Sequence, residues 1–259
     1  MPGRMAGRVA LVTGGGGGIG EATGRLFAEE GGAVALVDRD YAAAEKAAKR
    51  ITHDLPAAKV LPLDADVSKE ADARRVVDAA AKQFGALHTL VNVAGIRFYT
   101  PLAEADAHEW QQIIGVNVLA TTYCCKAALP HLRTAGDATI VNVSSVFGVI
   151  GRGGMGQYDT TKAAVLGYTR ALAIEEAPHG IRVNAVCPGG TITPYHIKRA
   201  AEKGVSEAEL RQSRAADNGL LGRWAEPREM AYPILFLSCR ESSFITGTSL
   251  IVDAGKSIT

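Results

Sequence analysis

Apolar residues in this chain come in short solid runs, separated by longer stretches with helical spacing. Residues 8–12, 33–37, 60–63, 89–93, 138–143, 181–186 and 249–252 are such runs, built mainly from Val, Leu, Ile and Ala. Runs of this length without alternation predict strands covered on both faces, as in a parallel sheet. Residues 41–52, 71–84, 106–132, 158–177 and 226–239 instead have the composition and the three- and four-residue apolar spacing of helices. A further helical pattern runs from a glycine-rich turn at 13–20 to Glu30. Strand and helix therefore alternate along the whole chain. That order predicts an α/β fold with one doubly wound, mainly parallel sheet and ligands at the carboxyl ends of its strands. Residues 195–224 break the rhythm. They are too long for an ordinary connection and are expected to form a lid or binding segment.

Composition narrows the picture. A chain of 259 residues, 47% of them hydrophobic and with no long polar tract, reads as one domain spanning 1–259. The net charge is +1 and the charges are interspersed, so no basic stripe invites nucleic acid. No uninterrupted apolar run approaches the ~18 residues of a membrane span, and the N-terminal M-P-G-R-M-A-G-R lacks a signal-peptide core. Cys124, Cys125, Cys187 and Cys239 have no metal-ligand spacing, so no metal site is expected and a reducing cytoplasmic location suits them.

Candidate chemistry lies where the elements meet. The turn T-G-G-G-G-G-I-G, Thr13 to Gly20, stands between a strand and a helix. Glycines there let backbone approach a pyrophosphate, and the helix N-terminus favours its charge. Asp38 ends the second strand, about twenty residues past the glycines, where an acid can hold a ribose 2′-hydroxyl. Tyr158 and Lys162 are four apart at the start of a predicted helix and share one face. An ammonium beside a phenol favours the phenolate, which tunes Tyr158 towards proton transfer at working pH. Ser145 ends the fifth strand and can return beside that phenol. Asn117 falls in mid-helix, where Asn is a poor helix former; it is either a packed, satisfied amide or a polar group placed for the site.

Taken together, these residues resemble the short-chain dehydrogenase/reductase family over essentially the whole chain. The T-G-x-x-x-G-I-G motif is Thr13 to Gly20, the N-x-A-G motif is Asn92 to Gly95, and the Asn-Ser-Tyr-Lys tetrad falls on Asn117, Ser145, Tyr158 and Lys162. The P-G turn is Pro188-Gly189, with Thr193 at the place of a cofactor-touching threonine. The resemblance implies a single-domain Rossmann-like fold with seven strands in the order 3-2-1-4-5-6-7, and a homodimer or homotetramer packed through the helices of Asn117 and Tyr158. It implies reversible hydride transfer between a nicotinamide and a small alcohol or ketone. Ser145 and Tyr158 would bond the substrate oxygen, with Tyr158 as general acid or base. Lys162 would bind the nicotinamide ribose, and Asn117 would hold a water on a proton path. The cofactor would lie against Gly14, Gly16, Gly17, Gly18, Ile19, Gly20 and Asp38, with Asp66 and the Val67 backbone at the adenine. Asn92, Ala94, Gly95, Tyr158, Lys162, Pro188, Gly189, Thr191 and Thr193 would complete the contacts.

Two positions depart from the family pattern: Val93 replaces the second Asn of N-N-A-G, and Ala254 stands where Gly is usual in V-D-A-G. The first puts one local hydrogen bond in doubt. Asp38, and glycines at 15, 16 and 17 in place of Arg or Lys, predict NAD(H) as the cofactor. Two alternatives remain. One is a 3-oxoacyl-thioester reductase using NADP(H), for which Arg97, Arg152, Lys198 and Arg199 would supply a docking patch. The other is a non-catalytic nucleotide-binding scaffold. The substrate pocket is expected along 148–157, 97–99 and the lid, with residues 195–221 ordering on ligand binding.

Overall fold

The computed structural model describes residues 3–213 and 219–259; the part of the expected lid at 214–218 lies outside the described residues. Seven strands form one sheet: β1 (Val9–Thr13), β2 (Ala33–Asp38), β3 (Lys59–Asp64), β4 (Thr89–Asn92), β5 (Thr139–Val143), β6 (Arg182–Pro188) and β7 (Ser249–Val252). All pair in parallel, in the order β3-β2-β1-β4-β5-β6-β7. The reversal of strand order beside β1 opens a crevice at the carboxyl ends of β1 and β4, the place where such sheets bind ligands.

Alternation along the strands sorts the core into two layers. Leu11, Leu90 and Ile140 pack with α3 (Glu70–Phe84), α5 (Ala120–Ala135) and part of α6 (Gly156–Glu176). Val12, Leu36, Val91 and Val141 face the other way, onto α1 (Gly18–Glu29), α2 (Tyr41–Asp54) and α9 (Pro227–Ser238). Both faces of the central strands are dry, which is why their runs show no polar alternation in the sequence. The expected long helix is present but is not uniform: α4 (Ala107–Ile114) passes through a π-helical turn, Gly115–Leu119, into α5. This rod, Ala107–Ala135, is long and apolar enough to cross a bilayer by length and composition, with 39% of its apolar window buried in the molecule. Its inner face, including Ile113, Cys124, Cys125, Ala128 and Leu132, is fully buried against the domain.

The expected lid carries α7 (Pro194–Ala201) and α8 (Glu207–Gln212), the latter opened by a Ser206–Glu209 capping box. Beyond β7, Ala254 has φ 55°, a left-handed conformation that crowds an L side chain. Its carbonyl accepts from Leu220 N–H at 2.7 Å, so the geometry ties the end of the lid to the C-terminal segment. Ala254→Gly is expected to raise stability by about 1 kcal/mol, a Tm increase of roughly 2–4 °C in a scan of the purified protein. An unchanged or lower Tm would mean the local contacts already offset the strain.

Candidate active site

The glycine turn forms a cradle because side chains have no room in it. A Cβ on Gly16 would lie 2.8 Å from Ala43 Cβ and 2.9 Å from Asp38 Oδ2, and one on Gly20 only 2.1 Å from Gly14 O. Gly14 and Gly18 have φ of 66° and 54°. The α1 N-terminus receives no side-chain cap, so its first N–H groups face the crevice. Exposed helix N–H groups, a close backbone approach and Asp38 at the adjacent strand end suit a dinucleotide pyrophosphate and ribose. Thr13 Oγ1 accepts from Val93 N–H (3.0 Å) and Ala94 N–H (3.2 Å), joining this cradle to the loop after β4. The Val93 backbone is held by Thr13, and its apolar side chain supplies no hydrogen bond in place of the usual Asn.

The second half of the site is built where the loop after β5 meets α6. Ser144 Oγ donates to Lys162 O at 2.7 Å, and a Cβ on Gly148 would meet that same carbonyl at 2.8 Å. Only a glycine lets the loop press so closely on the helix, and the contact brings Ser145 to the Tyr158 hydroxyl. At the helix start, a Cβ on Gly156 would collide with Leu102 at 2.4 Å, so this glycine seats α6 under the loop before α4. Tyr158 and Lys162 are buried on the inner face of α6. Lys162 Nζ donates to Val143 O (2.9 Å) and stands 5.7 Å from the Tyr158 ring centre.

One cleft of about 820 Å³ joins both halves. Comparison with known proteins extends the picture. A family model described as enoyl-(acyl carrier protein) reductase matches residues 14–257. L-fucose dehydrogenase of Bos taurus is 37% identical over 258 residues, covering 98% of this chain and 91% of its own. Cis-4-hydroxycyclohexanecarboxylate dehydrogenase of Sinomonas cyclohexanicum is 40% identical over 252 residues, 97% of each chain. This chain belongs to the short-chain dehydrogenase/reductase family. Among solved structures, levodione reductase matches with a TM-score of 0.90 at 31% identity, over 99% of this chain and 100% of that one. As a member of this family of alcohol dehydrogenases and reductases, the chain is an oxidoreductase of CH–OH groups that works with a nicotinamide cofactor.

The short-chain dehydrogenase cleft gathers most of the residues singled out in the sequence. Gly14, Gly16, Gly17, Gly18, Ile19, Asp38, Ala94, Gly95, Ser145, Tyr158, Lys162, Pro188, Gly189, Thr191 and Thr193 line it. Five others do not. Gly20 packs beneath Gly14. Asn92 is buried, donating to Asn142 Oδ1 (2.9 Å) and Cys125 Sγ (3.4 Å), a polar ladder that continues from Asn142 to Thr169 Oγ1 (2.9 Å). Asp66 turns back to accept from Ser68 N–H (3.2 Å) and Ser68 Oγ–H (2.6 Å), closing a local turn, and Val67 is buried in the core. Asn117 lies behind the site: Ile96 N–H donates to its Oδ1 (2.8 Å), and its Nδ2 donates to Ile96 O and Thr161 Oγ1 (both 3.0 Å). Its amide holds the loop after β4 in place, and the π turn is what aims it there. Gln112 and His196 also line the cleft but were not marked in the sequence. A single polar residue on an amphipathic helix or in a lid gives no spacing signal.

Burial alone would push the Tyr158 phenol up. The Arg97 guanidinium opposes this most strongly, followed by the Lys162 ammonium, a hydrogen bond with Ser145, and Arg152, and together they hold it below its ordinary value. Burial likewise lowers Lys162, opposed by Tyr158 and reinforced by Arg97. The phenol tuning assigned to Lys162 from the sequence is therefore shared with an arginine that stands 4.9 Å from the ring centre.

Proposed function

We propose that this protein is an NAD(H)-dependent dehydrogenase/reductase that interconverts a small secondary alcohol and its ketone, with Tyr158 as the general acid/base. One observation carries the reading: a buried phenol held below its ordinary pKa shares one cleft with the glycine cradle and Asp38. When bound, the nicotinamide accepts or supplies the hydride. Gly14, Gly16, Gly17, Gly18 and Ile19 would hold the pyrophosphate against the α1 N-terminus, and Asp38 the adenosine ribose. Pro188, Gly189, Thr191, Thr193 and Lys162 would hold the nicotinamide end. Ser145 would fix the substrate oxygen while Tyr158 takes its proton during oxidation or returns it during reduction. Lys162 and Arg97 stabilise the phenolate that this requires. The named alcohols of the relatives, a sugar and a hydroxylated ring acid, fit small-molecule chemistry on a CH–OH group. A screen of secondary alcohols, sugars, diols, steroids and 3-hydroxyacyl thioesters, followed by nicotinamide absorbance, tests the reading. Turnover of an alcohol supports it. Cofactor binding with no turnover in any class would favour a nucleotide-binding scaffold.

The segment carrying α7 and α8 would act as the lid. Its charged, mostly exposed helices make few buried contacts, a property of elements that open locally. Added NADH and substrate are expected to slow amide exchange in 195–213 and 219–221, and equal protection with and without ligands would remove the lid role. Partnering would be with copies of itself. The apolar rod Ala107–Ala135 leaves Ile114 and Leu119 on the surface, and α6 leaves Ile174 77% exposed. Pairing through these helices would give a dimer or tetramer in sedimentation, and a monomer at working concentration would refute it. Four free, buried cysteines suit a cytoplasmic location.

A further inference from the structure

We infer that the substrate of this site is an acid: a hydroxy- or oxo-carboxylate whose carboxylate is held by Arg97 beside Tyr158. The inference rests on the alcohol–ketone reading above and narrows it to one chemical class. Arg97 lines the cleft just after β4, partly buried, with its guanidinium carbon 4.9 Å from the Tyr158 ring centre. Its hydrogen-bond partners among the described residues are His196, Tyr99 and Tyr158, none of them a carboxylate, and Asp159 lies near enough to feel its charge. A guanidinium out of bulk water that hydrogen-bonds to no carboxylate keeps capacity for a planar oxyanion, and its fork of N–H groups matches a carboxylate in two bonds.

The surroundings aim the group instead of neutralising it. Arg97 Nη1 and His196 Nε2 are 3.0 Å apart, and His196 Nδ1 is 2.8 Å from Thr193 Oγ1. Burial, with Arg97 and Arg199 nearby, pushes the His196 imidazole down to about 4, so it is neutral near pH 7. A neutral ring can accept from the guanidinium at Nε2 while donating to Thr193 from Nδ1. This chain from Thr193 to Arg97 fixes the fork without bringing a carboxylate into hydrogen-bond contact with it. Two further cations stand near the substrate end. Arg152 stacks 3.6 Å over Phe147 and 5.5 Å from the Tyr158 ring centre, and Arg199 lies 3.3 Å over Tyr99. Of the nearby carboxylates, Asp159 pairs with Arg152 (3.2 Å), and burial pushes its acid up. Glu109 accepts from Thr100 Oγ1 (2.7 Å) and Gln157 Nε2 (3.1 Å), behind the wall. The substrate end is thus positive, which draws in an anion and disfavours its neutral analogue.

The test separates anion recognition from the effect of Arg97 on the phenol. With NAD or NADP at saturation, kcat/KM is measured for lactate, 3-hydroxybutanoate and 4-hydroxycyclohexanecarboxylate, each against its primary amide. In parallel, cyclohexanecarboxylate and cyclohexanecarboxamide are titrated into the enzyme–NADH complex by nicotinamide fluorescence. The wild type is expected to favour acid over amide at least tenfold in turnover and binding. Arg97→Gln should bring the ratio to within about twofold, and Arg97→Lys should restore part of it. A general loss of activity that spares the ratio would assign Arg97 to phenol tuning alone and overturn the proposal. So would a wild type that treats acids and amides alike. If neutral alcohols turn over and acids neither react nor bind, this inference fails while the dehydrogenase reading stands. If no alcohol of any kind reacts, that reading fails, and the carboxylate titration still decides the role of Arg97.

Discussion

Tyr158→Phe is expected to lower kcat for alcohol oxidation by about 10²–10⁴-fold while leaving NADH affinity within roughly twofold. The ring packs with Ile113 and Met155, and those contacts survive loss of the hydroxyl, so the variant should fold. What disappears is the only group in the cleft that combines burial, a hydrogen bond with Ser145 and three flanking cations among the described residues. The sign of the pH dependence follows. Oxidation needs the deprotonated phenol, so the wild-type rate should rise with pH and level off above a midpoint lower than the ordinary tyrosine value of about 10. Reduction needs the protonated form and should fall over the same window. The Phe variant should lose that limb entirely. Near wild-type kcat in the variant, or a retained alkaline limb, would remove Tyr158 from proton transfer.

The second large effect concerns the cofactor. We expect NAD to exceed NADP by at least tenfold in kcat/KM, equivalent to about 1.4 kcal/mol. The Asp38 carboxylate accepts from Gly16 N–H (3.0 Å) and Asp40 N–H (3.1 Å), so it is held at the cleft wall. Held there, it can accept from ribose hydroxyls and would oppose a 2′-phosphate. Two unit charges about 4 Å apart repel by about 4 kcal/mol at an effective dielectric of 20, before screening. The glycine turn offers no remedy, because a side chain at Gly16 would meet Asp38 itself. Arg39 lines the cleft and would remain if the acid were lost. Asp38→Asn keeps an acceptor for the turn and removes the charge, while Asp38→Ala removes both. Each should narrow the NAD/NADP ratio about fivefold or more, with Asn retaining more NAD activity. Equal wild-type efficiency with NADP would overturn this preference and revive the thioester-reductase alternative.

The central strands were legible because burial on both faces leaves an unbroken apolar run: β1, β4 and β5 are buried throughout and fall within a residue of the runs that mark them. The cradle was legible because glycine is informative where backbone must approach closely. For residues known only by their place in a motif, the side-chain contacts were not legible. Asn92 and Asp66 are each near a strand end, yet their side chains are taken up by Asn142 and Ser68. A motif gives a residue's place in the chain, and tertiary neighbours decide where its side chain goes. Arg97 shows the converse. Nothing in its spacing distinguishes it from a solvated loop arginine; its proximity to Tyr158 comes from the loop after β4 lying against the start of α6. The local helical pattern also hid the π turn, since apolar periodicity looks the same on either side of one surplus residue.

That surplus residue gives a one-codon deletion a different outcome here from elsewhere in the rod. Gly115–Leu119 holds one residue more than an α-helical turn would need, within a rod of 29 residues. Loss of a codon from the α-helical part would rotate one half of the rod by about 100° against the other. The buried faces at Ile113 and at Cys124, Cys125 and Ala128 point into the same domain, so the two halves could no longer both keep their seats. Loss of a codon inside the π turn would restore uniform pitch and leave both faces near their present directions, at the expense of the place of Asn117 against the Ile96 backbone. Deletions accepted during divergence should therefore fall in the loops or in this turn and avoid the regular helix on either side.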